Sequence, residues 1–340
     1  MNTAHYGTAR RLVFAYAVLT VTAAFVLLLS GGLVTSKGVG MTVPDWPNSY
    51  GYNMFLFPLS RWVGGIFYEH VHRLIASGVG LMTIFLALAL WMAEPRKWVR
   101  VLGYLAVAAV IVQGVLGGLR VTMILDELGI FHGMLAQAYI SLLVVIAVAT
   151  SKAFATGGAR WRWHAPGLMR WALALTVLVY LQLGLGATMR HEHAGLSIHD
   201  FPLAYGQVWP MVDAEQLAVI NAQRISSGEV PTTIGQITLQ MLHRTMAVVL
   251  AALFLVYAWK ARRAAMGVRL ASRWWLALVV VQIALGAWTV WSGKAADVTT
   301  AHVAVGALIL FLGVAQCFLL GVFSPRAAEL KRETAKLVHA

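Results

Sequence analysis

The chain has 340 residues, of which 60% are hydrophobic and only 11% charged. That balance belongs to membrane proteins and excludes an ordinary soluble domain. The net charge of +13 does not point to nucleic acid, because the basic residues collect at one set of helix ends and form no single patch.

Crossing the hydrocarbon core takes about 20 apolar residues as helix. Eight stretches qualify: 12–34, 74–93, 99–119, 131–150, 168–189, 237–259, 274–291 and 301–323. The first lacks a small-residue cleavage site and fits the repeat described below, so it reads as a retained helix and not as a signal peptide. Arg10, Arg11, Arg96, Lys97, Arg100, Lys152, Lys260, Arg262, Arg263 and Lys331 fall at one set of ends. Asp45, Asp126, Glu127, Asp200, Asp213 and Glu229 fall at the other. Basic loops stay cytoplasmic. The expectation is therefore a multi-pass protein of the cell (plasma) membrane with both termini cytoplasmic. Its long outer loops are residues 35–68 and 190–236. The single cysteine, Cys317, leaves no internal disulfide and no cysteine metal site, and reads as a small buried hydrophobe.

The chain repeats itself. Gly40, Asp45, Pro47, Tyr50 and Gly51 match Gly195, Asp200, Pro202, Tyr205 and Gly206, with Trp46 against Phe201. Gln113 and Leu116-Gly117 match Gln282 and Leu285-Gly286, and His72-Arg73 matches His243-Arg244. His132 and His302 close the pattern. The offset grows between Gly206 and His243, which marks an insertion carrying a short surface helix at about 213–224. Each copy has four spans, an even number, so both enter the membrane in the same orientation. The fold class is thus all-α integral membrane. Eight helices form two tandem four-helix bundles related by a pseudo-twofold axis along the membrane normal. The boundaries are 1–152 for the first unit, 153–167 for a cytoplasmic linker, 168–325 for the second unit and 326–340 for a basic tail.

Topology puts His72, His132, His243 and His302 at similar depth, one to two turns below the outer surface. Two neutral imidazoles facing each other across a helix bundle suit a heme iron; interhelical hydrogen bonding is the bland alternative. Zinc or copper would need more ligands than each pair offers. Arg73 and Arg244 follow the ligand histidines and read either as clamps for heme propionates or as snorkelling arginines. Glu69 shares a helix face with His72 at i, i+3. Its carboxylate is expected to point towards whatever His72 binds, as a catalytic acid or proton relay. The second copy has Gln240 there, which confines that role to the first unit; a helix cap is the simpler reading. His70 faces about 200° away from His72 and is not expected to be a ligand. His191, His193 and His199 read as polar loop residues. Packing alone accounts for Gln113, Gln182 and Gln282. Asp45-Trp46-Pro47 and Asp200-Phe201-Pro202 read as turns that form a lid over each site.

Taken together, the chain resembles the heme A synthase family. The resemblance rests on Glu69-x-x-His72-Arg73, Pro44-Asp45-Trp46-Pro47, Gln113-Gly114-x-x-Gly117-Gly118, His132, Arg190-His191, His243-Arg244 and His302, and it covers about residues 12–323. It implies oxidation of the C8 methyl of heme O to the formyl group of heme A, for terminal oxidase biogenesis. It implies that Glu69, His72 and His132 form the substrate-heme site, and that His243 and His302 ligate a heme b cofactor. The implied partners are heme O, membrane lipid, an unidentified electron donor, heme O synthase and terminal oxidase assembly factors. A homo-oligomer is compatible, and nucleic acid is not a partner. Many members have a cysteine pair in the first outer loop; this chain has none between Thr35 and Tyr68, so no thiol step can occur there. The alternatives are a diheme b-type electron-transfer cytochrome and a heme delivery protein. An ion-coupled transporter would need charges near mid-membrane.

Overall fold

A backbone in hydrocarbon must satisfy its own hydrogen bonds, and a helix does this within one segment. Among the described residues of the computed structural model, eight helices are long and apolar enough to cross a membrane. They are α1 (Thr8–Ser36), α2 (Gly64–Ala93), α3 (Lys97–Thr122), α4 (Glu127–Thr150), α5 (Pro166–His191), α6 (Ile234–Ala261), α7 (Met266–Trp291) and α8 (Ala296–Leu319). The structure describes residues 7–155 and 166–321. Most of the expected linker and all of the expected basic tail 326–340 lie outside the described residues.

The helices start and stop where local chemistry dictates. Thr233 begins α6 with a capping box, exchanging hydrogen bonds with Gln236. Asp213 caps the surface helix Ala214–Ser226 by accepting from the Gln216 N–H, so the insertion carries the short helix expected of it. At about 1.5 Å per residue, α2 with its 30 residues exceeds the roughly 30 Å core. It is therefore long enough to reach beyond that core. Large apolar side chains such as Leu81, Phe85, Trp91, Trp259 and Trp274 are exposed, as lipid-facing residues should be.

Helix contacts close into two rings. In the first, α1 packs on α2, α2 on α3, α3 on α4 and α4 on α1; in the second, α5, α6, α7 and α8 repeat the circuit. The rings meet where α1 touches α8, α4 touches α8 and α4 touches α5. α4 and α8 are accordingly the most buried of the eight. Small residues permit this close approach. A Cβ on Gly313 of α8 would come within 2.6 Å of both Thr176 and Trp275. The Trp275 indole donates to the Ile309 carbonyl at 2.8 Å, which satisfies the one polar atom of that buried ring.

Candidate functional site

Each of the four histidines rests on a glycine of the preceding helix in its ring. A Cβ on Gly31 would lie 2.9 Å from His72 Cε1; the corresponding distances are 3.2 Å for Gly117 and His132, 3.1 Å for Gly186 and His243, and 3.2 Å for Gly286 and His302. Any side chain there would push the imidazole away. Four residues before the glycine, α3, α5 and α7 carry a glutamine. Gln113 Nε2 donates to the His132 carbonyl at 3.0 Å and Gln182 Nε2 to the His243 carbonyl at 2.9 Å. Gln282 Nε2 lies 3.4 Å from a ring nitrogen of His302. These glutamines therefore touch the histidine segments and do more than pack. In α1 the same position is Leu27, so His72 alone has no glutamine.

Within each ring the histidines form a pair: His72 and His132 are close enough to interact electrostatically, and so are His243 and His302. The Nδ1 atoms of His72, His132 and His302 are buried without a hydrogen-bond partner. A buried polar atom left unpaired costs about 1–3 kcal/mol, so these rings await a partner. Among the described residues, no group of three or more His, Cys, Asp or Glu side chains could hold a metal ion. Two nitrogens facing each other fit a heme iron, whose porphyrin supplies the other four donors. At about 1.5 Å per residue, each histidine lies roughly 8–14 Å below the outer start of its helix.

Over each pair sits an outer loop, and the two loops match hydrogen bond for hydrogen bond. The amides of Tyr50 and Gly51 donate to the two oxygens of Asp45 at 2.7 Å each. Those of Tyr205 and Gly206 donate to Asp200 at 2.8 and 2.9 Å. The Tyr50 hydroxyl donates to the Thr42 carbonyl and the Tyr205 hydroxyl to the Ser197 carbonyl. Tyr50 and Tyr205 both have φ of 52°, a left-handed conformation held by these flanking bonds. Burial alone would raise the Asp45 pKa, but the Gly51 and Tyr50 amides and the Arg73 charge outweigh it and hold the carboxyl below its ordinary value. Asp200 is lowered in the same way by Gly206, Tyr205 and Arg244. Trp46 lies against α3, so close to Gly118 that a Cβ there would meet the indole at 2.4 Å. Its counterpart Phe201 packs edge-on against Trp291, with ring centres 5.9 Å apart.

Glu69 and the two arginines fasten these loops. Glu69 is 3% exposed. Its Oε2 accepts from the Val43 amide at 2.9 Å and the Thr42 hydroxyl at 3.0 Å, while Oε1 pairs with Arg73 at 2.7 Å. Gln240 accepts from the Ile198 amide at 2.7 Å and donates to the Gly195 and Ile198 carbonyls. Arg73 donates to the carbonyls of Val43, Asp45 and Asn48, and Arg244 to those of Ile198 and Leu203. The structure thus brings Glu69, Arg73 and His72 to one end of α2, with the carboxylate turned up into the loop. His70 is fully buried, 3.2 Å from the Ser49 hydroxyl and flanked by Phe57 and Trp62, away from the histidine pair. His191 and His193 lie 3.8 and 3.9 Å from Asp126, and His199 3.0 Å from Glu229.

Sequence reasoning passes over Gly31 and Gly186. Their signal is there: they lie at the loop's own repeat offset, and each follows a four-residue step along its helix. It also passes over Arg120, which acts electrostatically on both His72 and His132.

Two rings of four membrane-length helices, each with a pair of interacting histidines and a fastened loop, define a polytopic α-helical membrane protein. The chain belongs to the cytochrome oxidase assembly protein family (COX15-CtaA), whose model matches residues 14–314. It is similar to the heme A synthase of Shouchella clausii, 27% identical over 247 residues that cover 70% of this chain and 72% of that one. It is 31% identical over 278 residues to the heme A synthase of Novosphingobium aromaticivorans, covering 75% of this chain and 72% of the relative. The heme A synthase of Symbiobacterium thermophilum is 28% identical over 271 residues, 76% of this chain and 79% of that protein.

Proposed function

We propose that the protein is an integral-membrane oxidoreductase that converts the C8 methyl of heme O into the formyl group of heme A for terminal oxidase biogenesis. The observation that carries this reading is the glycine-seated histidine pair in each of two matching rings, with Nδ1 of His72, His132 and His302 buried and without a hydrogen-bond partner. It is joined by the family membership and by the names of the relatives.

In this reading His72 and His132 hold the iron of the substrate heme, and His243 and His302 ligate a heme b. Heme b, when bound, supplies one-electron transfer. Gly31 and Gly117 fix where the two first-unit imidazoles stand, and so where the substrate plane lies. The outer loop, fastened by Asp45, Glu69 and Arg73, keeps water off the reacting edge. Glu69 is the catalytic acid of this reading, and with both oxygens engaged by Arg73, Thr42 and Val43 it acts through its negative charge, which offsets positive charge developing on the substrate. Arg73 and Arg244, read from the sequence as propionate contacts, stand with their guanidinium groups on loop carbonyls, and in this reading they hold each loop over its site. The matched contacts of α1 with α8 and α4 with α5 support a pseudo-twofold axis along the membrane normal. The basic residues beside Arg96 and Arg262 support cytoplasmic termini in the plasma membrane. An electron donor, heme O synthase, oxidase assembly factors and a homo-oligomer follow from the same reading.

A second reading, a diheme b-type electron carrier, gains from one observation: Glu69 and Gln240 do the same loop-fastening work, so the acid is not by itself a mark of chemistry. Acid extraction and chromatography of heme from membranes that make this protein with a source of heme O separate the two. Heme A that disappears in His72→Ala supports the synthase. Heme B and unchanged heme O from folded protein favour the carrier.

A further inference from the structure

At the outer end of the seam between the rings lies a group of cations that none of the roles above uses. Arg120 ends α3, Arg190 and His191 end α5, and Lys294 lies between α7 and α8. Arg120 Nη2 pairs with Asp126 Oδ1 at 3.0 Å, its side chain is 15% exposed, and its Nε is buried with no hydrogen-bond partner. Its Nη1 packs against Gly40, where a Cβ would be 3.1 Å away. Arg120 lies less than one helical turn beyond Gly117, the seat of His132, and its charge reaches His72, His132, Arg190 and His191.

The positive charge here is under-compensated. Arg190 donates at 2.7 Å to two neutral acceptors, the Gly32 carbonyl and the Ser36 hydroxyl. Among the described residues, the ion pairs of this group all run to Asp126, and none involves Arg190 or Lys294. Burial, and then the charge of Arg190, holds the Lys294 ammonium below its ordinary pKa. Asp126 would be raised by burial, but the Arg120 hydrogen bond and charge outweigh this and keep it a carboxylate. Of the three cations Arg120, Arg190 and Lys294, only Arg120 is thus paired with a carboxylate. Leaving buried charge unpaired is costly, and an arriving carboxylate would relieve it. Arg73, by contrast, already spends its donors on the Val43, Asp45 and Asn48 carbonyls and on Glu69.

We propose that Arg120 is the principal residue binding the propionate carboxylates of the heme held by His72 and His132, with Arg190 and Lys294 extending the cationic strip across the seam. The inference rests on the heme reading of that histidine pair. A planar guanidinium with a free Nε–H suits a carboxylate, and two N–H donors can take it bidentately. The site therefore selects a porphyrin with free acids over its neutral ester.

The test is a Soret-band titration of the purified full-length protein with hemin and with hemin dimethyl ester. It is run on the unsubstituted protein, Arg120→Gln, Arg120→Lys and Arg190→Gln, with His72→Ala defining the first-site signal. The unsubstituted protein should bind hemin on the order of tenfold more tightly than the diester, as one charge-assisted contact allows. Arg120→Gln should lose most of that preference while its affinity for the diester stays the same. Arg120→Lys should keep part of it, and Arg190→Gln should reduce it less than Arg120→Gln does. Equal binding of acid and diester by the unsubstituted protein, which needs no variant to fold, would overturn the proposal. So would undiminished preference in Arg120→Gln. Absence of any His72-dependent binding would instead overturn the heme reading beneath it.

Discussion

Glu69 and Gln240 hold the same loop amide in their two halves: the Val43 N–H donates to Glu69 at 2.9 Å and the Ile198 N–H to Gln240 at 2.7 Å. A glutamine can therefore do the structural part of the work of Glu69. What it cannot replace is the ion pair to Arg73 and the negative charge.

Glu69→Gln should accordingly fold, keep its first outer loop fastened and bind heme, yet yield no heme A on extraction. Glu69→Ala should also lose thermal stability. It leaves the Val43 amide unpaired and Arg73 with carbonyl acceptors only, at a cost of about 1–3 kcal/mol, visible as a lowered unfolding midpoint in detergent. Full product formation by Glu69→Gln would reduce Glu69 to a loop anchor.

The glycine seats predict a selective loss of cofactor. Gly31→Ala should displace His72 and empty the first site while the second keeps its low-spin heme signal, and Gly186→Ala should do the reverse. Gly80→Ala is the control, since a Cβ at Gly80 meets nothing within 4 Å. Pyridine hemochrome content and electron paramagnetic resonance of the purified variants read the outcome. Equal loss at both sites in Gly31→Ala would contradict it.

The loop carboxylates set an acid limit. Asp45 and Asp200 are lowered from an ordinary value of 3.8. A depressed carboxylate stabilises the fold above its unfolded pKa, and that contribution is lost as pH falls through the lower folded value. The loops should therefore stay fastened from neutral pH to about 4 and loosen only below it. Asp45→Ala should have a loose first loop throughout. Hydrogen exchange of residues 43–51 and 198–206 as a function of pH measures this; loosening of the unsubstituted loops at pH 6 would contradict it.

The seat of Trp46 on Gly118 gives a kinetic prediction. Gly118→Ala should expel the indole and open the first lid. Heme loss from the first site to excess apomyoglobin should then speed up several-fold, with loss from the second site unchanged. An unaltered first-site rate would mean that the Trp46 loop does not control access.

The eight spans and the repeat are legible in the sequence because hydrocarbon leaves the backbone one solution and because the loop motifs recur at a fixed offset. The structure puts each histidine in the first three turns of its helix. The direction of the Glu69 carboxylate is not legible. An i, i+3 spacing sets a helix face but does not distinguish a side chain aimed into the bundle from one aimed up into the loop, and Thr42 and Val43 decide it. Nor can sequence separate Arg120 from Arg73 as the freer cation. Arg73 lies near the start of α2 and Arg120 near the end of α3, and only the loop's path shows that one guanidinium is spent on carbonyls. The glycine seats hide for another reason: glycine is common in membrane helices, and its meaning here comes from a ring on the neighbouring helix.

The seam of α4 and α8 has a further consequence. The two rings meet as two chains of a dimer would, through the same helices from either side. Severed between residues 156 and 165 and produced as two polypeptides, the halves would be expected to find each other in the bilayer. A protein of this kind could then have descended from a symmetric pair whose subunits were later joined and free to specialise.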